Sequence, residues 1–200
     1  TGHALKQAMP AVAGEAVLVL YGDVPLTRIE TLAPLIAAAA RGRFGLLTQI
    51  LDNPAGYGRL LRDADGRVTR IVEHKDASEA ERAVREINTG ILAAPSGRMR
   101  GWLDGLSNHN VQGEYYLTDT IAMAVAGGLV IETAQPRDSW EVLGVNSKRE
   151  LAVLERHQLQ HRMLHARQAR EIGPDHAIED MRAQRIERRR EGVHLHRRAL

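Results

Sequence analysis

The sequence predicts an α/β fold in which a largely parallel sheet is covered by helices. The first observation is the run 16–20, five apolar residues that end just before Tyr21, Gly22 and Asp23. A strand that is buried on one face alternates apolar and polar residues, whereas an uninterrupted run is typical of a strand covered on both faces. The second observation is that a helical segment follows and leads to another apolar run at 44–51. A strand, a helix and a strand in succession form the unit of a parallel sheet.

The first elements follow from periodicity and capping signals. Residues 1–13 are predicted to form a short helix, which Pro10 ends. After the strand at 16–20, the segment Thr27–Glu30 matches a capping box, in which Ser or Thr precedes Glu by three residues. It predicts a helix that runs to about Gly42 and carries the chain to the second strand.

Turn residues organise the next part of the chain. Residues 53–58 contain proline and two glycines and are predicted to form a loop. Asp65 and Gly66 form a strong hairpin dipeptide, which predicts two antiparallel strands at 59–62 and 67–73. A second capping box at Ser78–Glu81 predicts a short charged helix.

The second half of the chain continues the alternation of strands and helices. Residues 87–94 are predicted to form a strand, after which Ser96 is expected to cap a helix. Another helix is predicted to run through Val125 to a break at Gly127, and a strand follows at 129–133.

Two polar residues follow apolar segments in the same way. Asp23 comes after the first strand, and Asn146 ends the apolar segment 142–146, before a third capping box at Ser147–Glu150 that predicts a long helix. Open α/β sheets bind ligands beyond the carboxyl ends of their strands. Carboxylate and amide oxygens are ligands that suit Mg²⁺. We therefore expect Asp23 and Asn146 to hold Mg²⁺ on a nucleotide. The alternative is that Asp23 only caps a helix or begins a turn.

Composition limits the classes of protein to consider. A length of 200 residues suits one α/β domain, and no apolar run is long enough to span a membrane. Cysteine is absent, which excludes disulfides and cysteine-ligated metals. There is no hydrolase elbow and no GxxxxGK[ST] phosphate loop. With no secretion signal at the start, we expect a cytoplasmic protein.

The charge is unevenly distributed along the chain. The net charge is +2, but residues 1–155 carry −3 and residues 156–200 carry +5, with 11 Arg, no Lys and six of the nine His. We predict that 156–200 is a basic tail, helical at first and then solvated or disordered. The competing interpretation is a basic appendage that binds nucleic acid or another partner, with Arg188–Arg190 as its densest part.

Three further groups of residues allow two interpretations each. The cluster His74–Asp76 could do acid–base work, but a solvated strand end is favoured. His3 could contact a ligand, although a lone histidine usually does not. Tyr115 and Tyr116 could stack on a base or a sugar, although core packing is the commoner use of such a pair.

Taken together, seven short motifs resemble one family. They occur in that family's order, from Thr1 to about Glu155, and the chain resembles the uridylyltransferase domain of the bacterial bifunctional N-acetylglucosamine-1-phosphate uridyltransferase/glucosamine-1-phosphate acetyltransferase family. The motifs are Thr1–Ala4, Leu20–Leu26, Gly56–Arg59, Ile71–Ala77, Glu86–Gly90, Gln112–Asp119 and Gly144–Asn146.

The resemblance implies a Rossmann-like nucleotide-diphospho-sugar transferase fold over residues 1–155. It also implies a Mg²⁺-dependent reaction of UTP with N-acetylglucosamine-1-phosphate, which forms UDP-N-acetylglucosamine and pyrophosphate for peptidoglycan and lipopolysaccharide synthesis. UTP, N-acetylglucosamine-1-phosphate and UDP-N-acetylglucosamine are the expected partners, and nucleic acid is not. The alternatives are a related nucleotidyltransferase for another sugar-1-phosphate, or an inactive fragment that still binds a sugar nucleotide.

For the nucleotide and the metal, the resemblance implies five residues. Thr1 is expected at the uracil, and Tyr21 and Gly22 are expected to line the nucleotide site. Asp23 and Asn146 are the implied Mg²⁺ ligands and the implied catalytic residues, and Asn146 also touches the substrate.

For the sugar, the resemblance implies five more residues. Gly58, Glu73 and Asn88 are expected to contact the amino sugar and the ribose. Tyr116 and Thr118 are expected near the sugar and its acetamido group. These residue types suit the roles, because a carboxylate accepts from hydroxyls and an amide both donates and accepts.

The sequence also departs from the family pattern. The first strand and the glycine-rich phosphate loop are expected before Thr1, so we expect the fold to be incomplete and the chain alone to have little or no transferase activity. The acetyltransferase domain, which makes the full-length family trimeric, is not found. After about Arg156 the pattern is lost, and a shifted reading frame is our hypothesis for that tail.

Overall fold

The computed structural model describes residues 1–171, with side chains through Leu164. The chain divides into two compact units, Thr1–Asn146 and Ser147 onward, and each is described by itself. Residues 172–200 of the predicted tail at 156–200 lie outside the described residues, so the nature of the tail stays a prediction, as does the domain boundary at 155. Within the part of the chain that the structure describes, no helix is long and apolar enough to cross a membrane.

The first unit contains a six-stranded sheet with the order β4-β3-β5-β2-β6, in which β1 also pairs with β5. Among the described strands, β2 and β6 form the one parallel pair, and the other pairs are antiparallel. The strands are β1 Ala16–Val19, β2 Phe44–Ile50, β3 Arg59–Arg62, β4 Val68–Val72, β5 Glu86–Pro95 and β6 Ile131–Ala134.

Five helices surround this sheet, and a sixth forms the described part of the second unit. Short 3-10 turns lie at Met9–Ala11 and Ser139–Val142. The helices are α1 Gly2–Ala8, α2 Ile29–Ala40, α3 Glu79–Arg82, α4 Ser96–Asp104, α5 Asp119–Ala126 and, in the second unit, α6 Lys148–Glu171.

The predicted α/β class is confirmed, but the expectation of a largely parallel sheet is wrong. The β1 and β2 strands run in the same direction, as a strand–helix–strand unit requires, yet β5 lies between them and is antiparallel to both. The run at 16–20 is also less buried than predicted. Only Val17 of β1 is fully buried, and Leu20 lies beyond the strand with 51% of its surface exposed.

Both faces of the sheet are nevertheless covered, because successive residues of a strand point to opposite faces. Leu46 of β2 packs with residues of α4 and α5, and its neighbour Leu47 packs with residues of α2. The α2 helix approaches closely because β2 has a glycine there. A Cβ on Gly45 would lie 2.6 Å from the Cα atom of Leu35.

Two of the predicted caps are not formed. The α2 helix begins at Ile29, and the hydroxyl of Thr27 donates to the Glu141 carbonyl instead of capping it. The hydroxyl of Ser96 donates to the Gly14 carbonyl.

The other two predicted caps are present. The capping box of Ser78 and Glu81 is complete, and within the second unit Ser147 Oγ accepts from the Glu150 amide at 3.2 Å. The predicted apolar segment at 142–146 is not a strand, because a 3-10 turn ends at Val142 and an irregular segment follows.

Candidate functional site

A gap in one edge of β5 creates a cleft in the first unit. The β3 strand pairs with β5 at Ile87, and β1 pairs with it from Leu92 onward. Both β3 and β1 lie on the edge of β5 that faces away from β2, because β2 pairs with the same two residues, Ile87 and Leu92, from the other side. Residues 88–91 are therefore left between two strands that do not meet, and a cleft of about 300 Å³ opens there.

The cleft collects residues that follow β1 and β4, residues that precede α1, β3 and α5, and residues from the interior of β5. Its lining consists of Thr1, Tyr21, Gly56, Tyr57, Gly58, Glu73, Asn88, Thr89, Gly90, Leu92, Gln112, Glu114, Tyr116, Leu117 and Thr118.

A β-bulge shapes the floor of the cleft. Between the pairs Leu46–Leu92 and Thr48–Asn88, β2 has one residue, Leu47, whereas β5 has three. The hydroxyl of Thr89 donates to the Leu47 carbonyl at 2.8 Å and so replaces a bond of the regular ladder. Bulges are common beside functional sites because they redirect side chains.

Gly90 lies at the centre of this bulge and cannot be replaced without strain. Its φ is +87°, a conformation that L side chains rarely adopt. A Cβ there would also lie 2.5 Å from Cε2 of Tyr21. The ring of Tyr21 thus packs against the bare backbone of β5, and Thr1 belongs to the same cleft lining.

The carboxylate of Glu73 stands on the opposite wall. Its Oε1 atom accepts from the Thr118 hydroxyl at 2.8 Å. Its Oε2 atom would be 3.3 Å from a Cβ on Gly58, so the glycine leaves room beside this oxygen. One oxygen is therefore held in place while the other faces the space above Gly58.

Asn88 is fixed through both its backbone and its side chain. Its amide donates to the Gly58 carbonyl at 2.9 Å, and its Oδ1 atom accepts from the Gly90 amide at 2.9 Å. With Oδ1 engaged, the NH2 group is the donor that Asn88 can offer to a ligand.

Tyr116 closes the cleft through a polar network. Its hydroxyl accepts from Gln112 Nε2 at 2.8 Å and donates to Asp76 Oδ2 at 3.2 Å. Asp76 Oδ1 accepts from the Val111 amide, and Lys75 Nζ donates to Gln112 Oε1. The prediction of a merely solvated strand end was therefore incomplete, since Lys75 and Asp76, although exposed, hold the loop that ends at this wall.

Tyr21 and Tyr116, two of the three tyrosines that line the cleft, are neutral donors at physiological pH. Burial raises the pKa of Tyr21, and the charges of Glu73 and Asp23 act in the same direction. Burial likewise raises the pKa of Tyr116, an effect that the charge of Asp76 reinforces. The charges of Glu73, in the cleft lining, and of Asp23, outside it, thus both disfavour ionisation of the Tyr21 phenol.

Beneath the cleft, Arg59 is almost completely buried, with 1% of its surface exposed. Its guanidinium donates to the carbonyls of Tyr57 and Arg82 and contacts His74 Nδ1 at 3.3 Å. Burial lowers the pKa of Arg59, and the nearby charge of Arg82 adds to this effect. The arginine therefore ties the loop that precedes β3 to the end of β4 and to α3.

Thr1 reaches the cleft because α1 is attached to the segment before α5. The amide of Gly2 donates to the Tyr115 carbonyl at 3.0 Å, and a Cβ on Gly2 would lie 2.8 Å from that oxygen. The absence of a side chain on Gly2 thus permits this close approach.

Asp23 and Asn146 do not line the cleft, but they lie close to each other. A Cβ on Gly144 would be 3.7 Å from Asp23 Oδ2 and 3.8 Å from Asn146 Nδ2. The backbone joins the same two segments, because the Val145 amide donates to the Asp23 carbonyl at 2.8 Å. Their oxygen donors are of the kind that Mg²⁺ prefers. Within residues 1–171, no group of three or more His, Asp or Glu residues could hold a metal ion.

Seven of the ten predicted site residues line the cleft, namely Thr1, Tyr21, Gly58, Glu73, Asn88, Tyr116 and Thr118. Gly22 lies outside the lining, and no protein atom is within 4 Å of the position of its Cβ. The prediction missed Gly90 and Gln112. A glycine inside an apolar strand was an available signal for Gly90, because such a glycine often marks a bulge.

Comparisons of sequence find relatives for most of the chain. Over 157 residues, or 78% of its length, the chain is 60% identical to the bifunctional protein GlmU of Pseudomonas putida and 62% identical to that of Thiobacillus denitrificans. The protein of the same name from Azotobacter vinelandii is 60% identical over the same length. The matched part covers 34% or 35% of these proteins, so the chain spans about a third of the length of its relatives. No family model matches the chain.

Comparisons of structure find the same fold in distant proteins. A Bacillus anthracis protein assigned as a glucose-1-phosphate thymidylyltransferase, in complex with a sucrose, superposes with a TM-score of 0.56 at 16% identity, over 77% of this chain and 58% of that one. A CMP:2-keto-3-deoxy-manno-octonic acid synthetase complexed with CTP gives 0.55 at 14% identity, over 80% and 68%. Both likenesses indicate the Rossmann-like nucleotidyltransferase fold.

Proposed function

The chain belongs to the family of the bifunctional GlmU proteins, and from this we propose that its first unit is a uridylyltransferase site. The proposed reaction joins UTP and N-acetylglucosamine-1-phosphate and releases pyrophosphate. UDP-N-acetylglucosamine is the product. A cytoplasmic location agrees with the use of UTP.

One observation carries the proposal. Residues from six distant segments, which the motifs single out separately, line one cleft at the gap in β5. The cleft combines a fixed carboxylate, a fixed amide and the neutral phenols of Tyr21 and Tyr116 with backbone made accessible by glycine. This combination suits a ligand with several hydroxyl groups and an amide, as an N-acetylated sugar nucleotide has.

The sugar half of the ligand is assigned to Glu73, Asn88 and Thr118. Glu73 would accept from sugar hydroxyls through Oε2, because Thr118 already holds Oε1. Asn88 would donate through its NH2 group. Hydrogen bonds to an ionised group in a partly buried cleft are stronger than neutral ones, so Glu73 is expected to contribute most of the sugar affinity.

The nucleotide half is assigned to Tyr21, Thr1 and Gly22. Tyr21 supplies an apolar ring and, through its neutral phenol, a polar tip. Thr1 lies beside it. The open space at Gly22 would allow a ligand to approach the backbone.

Asp23 and Asn146 are proposed to hold Mg²⁺. Both side chains lie within 4 Å of the position of a Cβ on Gly144, and a carboxylate together with an amide oxygen fits this ion, which usually takes one or two protein ligands. When bound, Mg²⁺ supplies neutralisation of the charge on phosphate oxygens. The contribution of the chain is to keep these two donors adjacent.

The proposed chemistry requires alignment rather than proton transfer. A phosphate oxygen of N-acetylglucosamine-1-phosphate forms a bond to the α-phosphorus of UTP. The bond from that phosphorus to the bridging oxygen breaks, and the electron pair leaves with pyrophosphate. The attacking group is already an anion at neutral pH, so no general base is needed. The residues of the cleft bind and orient the two substrates, which lowers the entropic part of the barrier.

Binding of UDP-N-acetylglucosamine to the 200-residue chain, measured by calorimetry, tests the proposal. We expect saturable binding that Glu73→Gln weakens about 10- to 100-fold, because a hydrogen bond to a charged group contributes about 1.5–3 kcal/mol. Glu132→Gln is the matched control, since this carboxylate binds Arg41 and Arg43 and does not line the cleft.

Two results would contradict the proposed site. One is a folded chain that does not bind the sugar nucleotide. The other is binding that Glu73→Gln and Glu132→Gln affect equally. UDP-glucose, which lacks the acetamido group, should bind more weakly than UDP-N-acetylglucosamine. Release of pyrophosphate from UTP and N-acetylglucosamine-1-phosphate measures the reaction itself.

A further inference from the structure

One buried carboxylate outside the cleft has no role in the proposed reaction. Glu141, in the 3-10 turn before the Gly144 segment, is completely buried. Its Oε2 atom accepts from the Thr31 hydroxyl and from the Arg28 amide, and its Oε1 atom accepts from the Asp138 amide at 3.3 Å. A charge with 0% exposure is costly to bury, so its retention calls for a reason.

The contacts around Glu141 form a clamp between two distant segments. The hydroxyl of Thr27 donates to the Glu141 carbonyl at 2.9 Å. The Arg28 guanidinium is 4.5 Å from the ring centroid of Trp140 and forms an ion pair with Asp138 at 3.3 Å. We call this set the 27–141 clamp. It consists of Thr27, Arg28 and Thr31 on one segment and of Asp138, Trp140 and Glu141 on the other.

The clamp lies close in sequence to both proposed metal ligands. Asp23 precedes Thr27 by four residues, and Asn146 follows Glu141 by five. The segments that carry the two ligands are irregular, and a backbone hydrogen bond from the Val145 amide to the Asp23 carbonyl joins them. Their relative position is therefore not determined by a strand ladder.

We propose that Glu141 is a positioning residue, which through the 27–141 clamp keeps Asp23 and Asn146 adjacent. The inference rests on the proposed function, because the proposed metal site is what makes the adjacency of Asp23 and Asn146 useful. The buried carboxylate is suited to this role. Its two oxygens accept from two segments at once, and a misplaced segment would leave the charge without a donor. Partners that orient metal ligands from behind are usually needed for full affinity.

Glu141→Gln tests the clamp with little change of shape. Its single oxygen can serve Thr31 and Arg28, but its NH2 group then faces the Asp138 amide, so one link is lost. We expect exchange of the Val145 amide with deuterium to be about tenfold faster or more, since its bond to Asp23 opens locally. The amides of β2 should change no more than they do in Glu132→Gln. If Val145 and β2 change together, the clamp is not a local device and the proposal is wrong.

The positioning role of Glu141 is tested by the binding of Mn²⁺ alone. Electron paramagnetic resonance measures the concentration of the free ion. We expect Glu141→Gln to weaken Mn²⁺ binding about 10- to 100-fold, with Glu132→Gln unchanged. Unchanged Mn²⁺ affinity in Glu141→Gln, together with a loss in Asp23→Asn, would overturn the proposal. If Asp23→Asn has no effect, the proposed metal site is wrong, whereas faster exchange at Val145 would still support the clamp.

A second variant covers the case in which Glu141→Gln does not fold, as judged by circular dichroism. Thr31→Val removes one donor to the same carboxylate and keeps a side chain of similar shape. The same exchange and Mn²⁺ measurements then apply, with the same expected directions. A Thr31→Val variant that behaves like the wild type in both would overturn the proposal.

Discussion

The two sides of the candidate site are held in different ways. The strand-borne wall, Gly58, Glu73, Asn88 and Gly90, lies on or beside strands that the sheet ladder fixes. The loop-borne pair, Asp23 and Asn146, lies on irregular segments. A ladder opens only with much of the fold, whereas a loop opens locally. Changes in the wall should therefore cost global stability, and changes in the pair should cost ligand binding alone.

The largest expected effect is that of Gly90→Ala in the wall. A non-glycine residue at a φ of +87°, with its Cβ against Tyr21, should lower the free energy of unfolding by about 2–4 kcal/mol. Urea denaturation measures the loss. The matched control is Gly97→Ala in α4, where a Cβ meets no atom within 4 Å and alanine favours the helix. An equal loss in both variants would contradict the role assigned to the bulge.

Arg59→Lys should have the next largest effect. The lysine ammonium cannot serve Tyr57, Arg82 and His74 as the planar guanidinium does, so buried acceptors lose their donors. We expect a loss of about 1–3 kcal/mol in the free energy of unfolding, measured in urea. Arg67→Lys, at an exposed ion pair of the hairpin, is the control and should change little. A loss in the free energy of unfolding below about 0.5 kcal/mol, as for an ordinary surface substitution, would show that Arg59 does not stabilise the wall.

Glu86→Gln should have a smaller, pH-dependent effect at the start of β5. Burial alone would raise the pKa of Glu86, but hydrogen bonds from Arg62 and Thr48 keep this pKa below its usual value of 4.5. The folded state therefore binds the proton less readily than the unfolded state. The resulting stability is present above about pH 4.5 and is lost as the pH falls through the folded-state pKa.

The measurement for Glu86 is thermal unfolding of the wild type and the variant from pH 7 to pH 3. The wild type should be more stable at pH 7, by about 1 kcal/mol, and the difference should shrink on the acid side. A difference that stays constant across this range would assign the effect to packing instead of charge.

Asp23→Asn should have the smallest effect on stability. Asp23 is exposed, so the free energy of unfolding should change by no more than about 0.5 kcal/mol. Any increase that Mg²⁺ produces in the affinity for UDP-N-acetylglucosamine should nevertheless disappear in the variant. Calorimetry with and without Mg²⁺ measures this. A stability loss as large as that of Gly90→Ala would erase the distinction between wall and pair.

Two identical sequence signals show how far local patterns can predict this fold. Ser78 and Glu81 form their capping box because both residues lie at the surface and satisfy each other. Thr27 matches the same pattern, but its hydroxyl is taken by Glu141, 114 positions away. Local sequence cannot show a competitor that only the tertiary fold brings near.

The topology was predictable to a similar extent. Periodicity located the six strands within a few residues, and it predicted that helices cover both faces. It could not predict that β5 lies between β1 and β2, because an apolar run does not specify its neighbour. Leu20 is exposed because β1 ends at Val19, where the chain turns towards the cleft.

The site was predictable from motifs, residue by residue, but its contacts were not. Glu73 and Thr118 were singled out separately, and the hydrogen bond between them spans 45 positions. Gly90 belonged to a quoted motif without being assigned a role, because its purpose depends on Tyr21. The roles of all ten residues stay predictions until binding is measured.

The bulge in β5 contains an even number of extra residues. Two more residues lie between Asn88 and Leu92 than between Thr48 and Leu46. Side chains alternate with a period of two, so the strand keeps the same inward and outward order on both sides of the bulge. Removing one residue would exchange the inward-facing and outward-facing side chains in half of β5. Removing two would restore a flat ladder and fill the floor of the cleft. Viable insertions and deletions at this position should therefore occur in pairs.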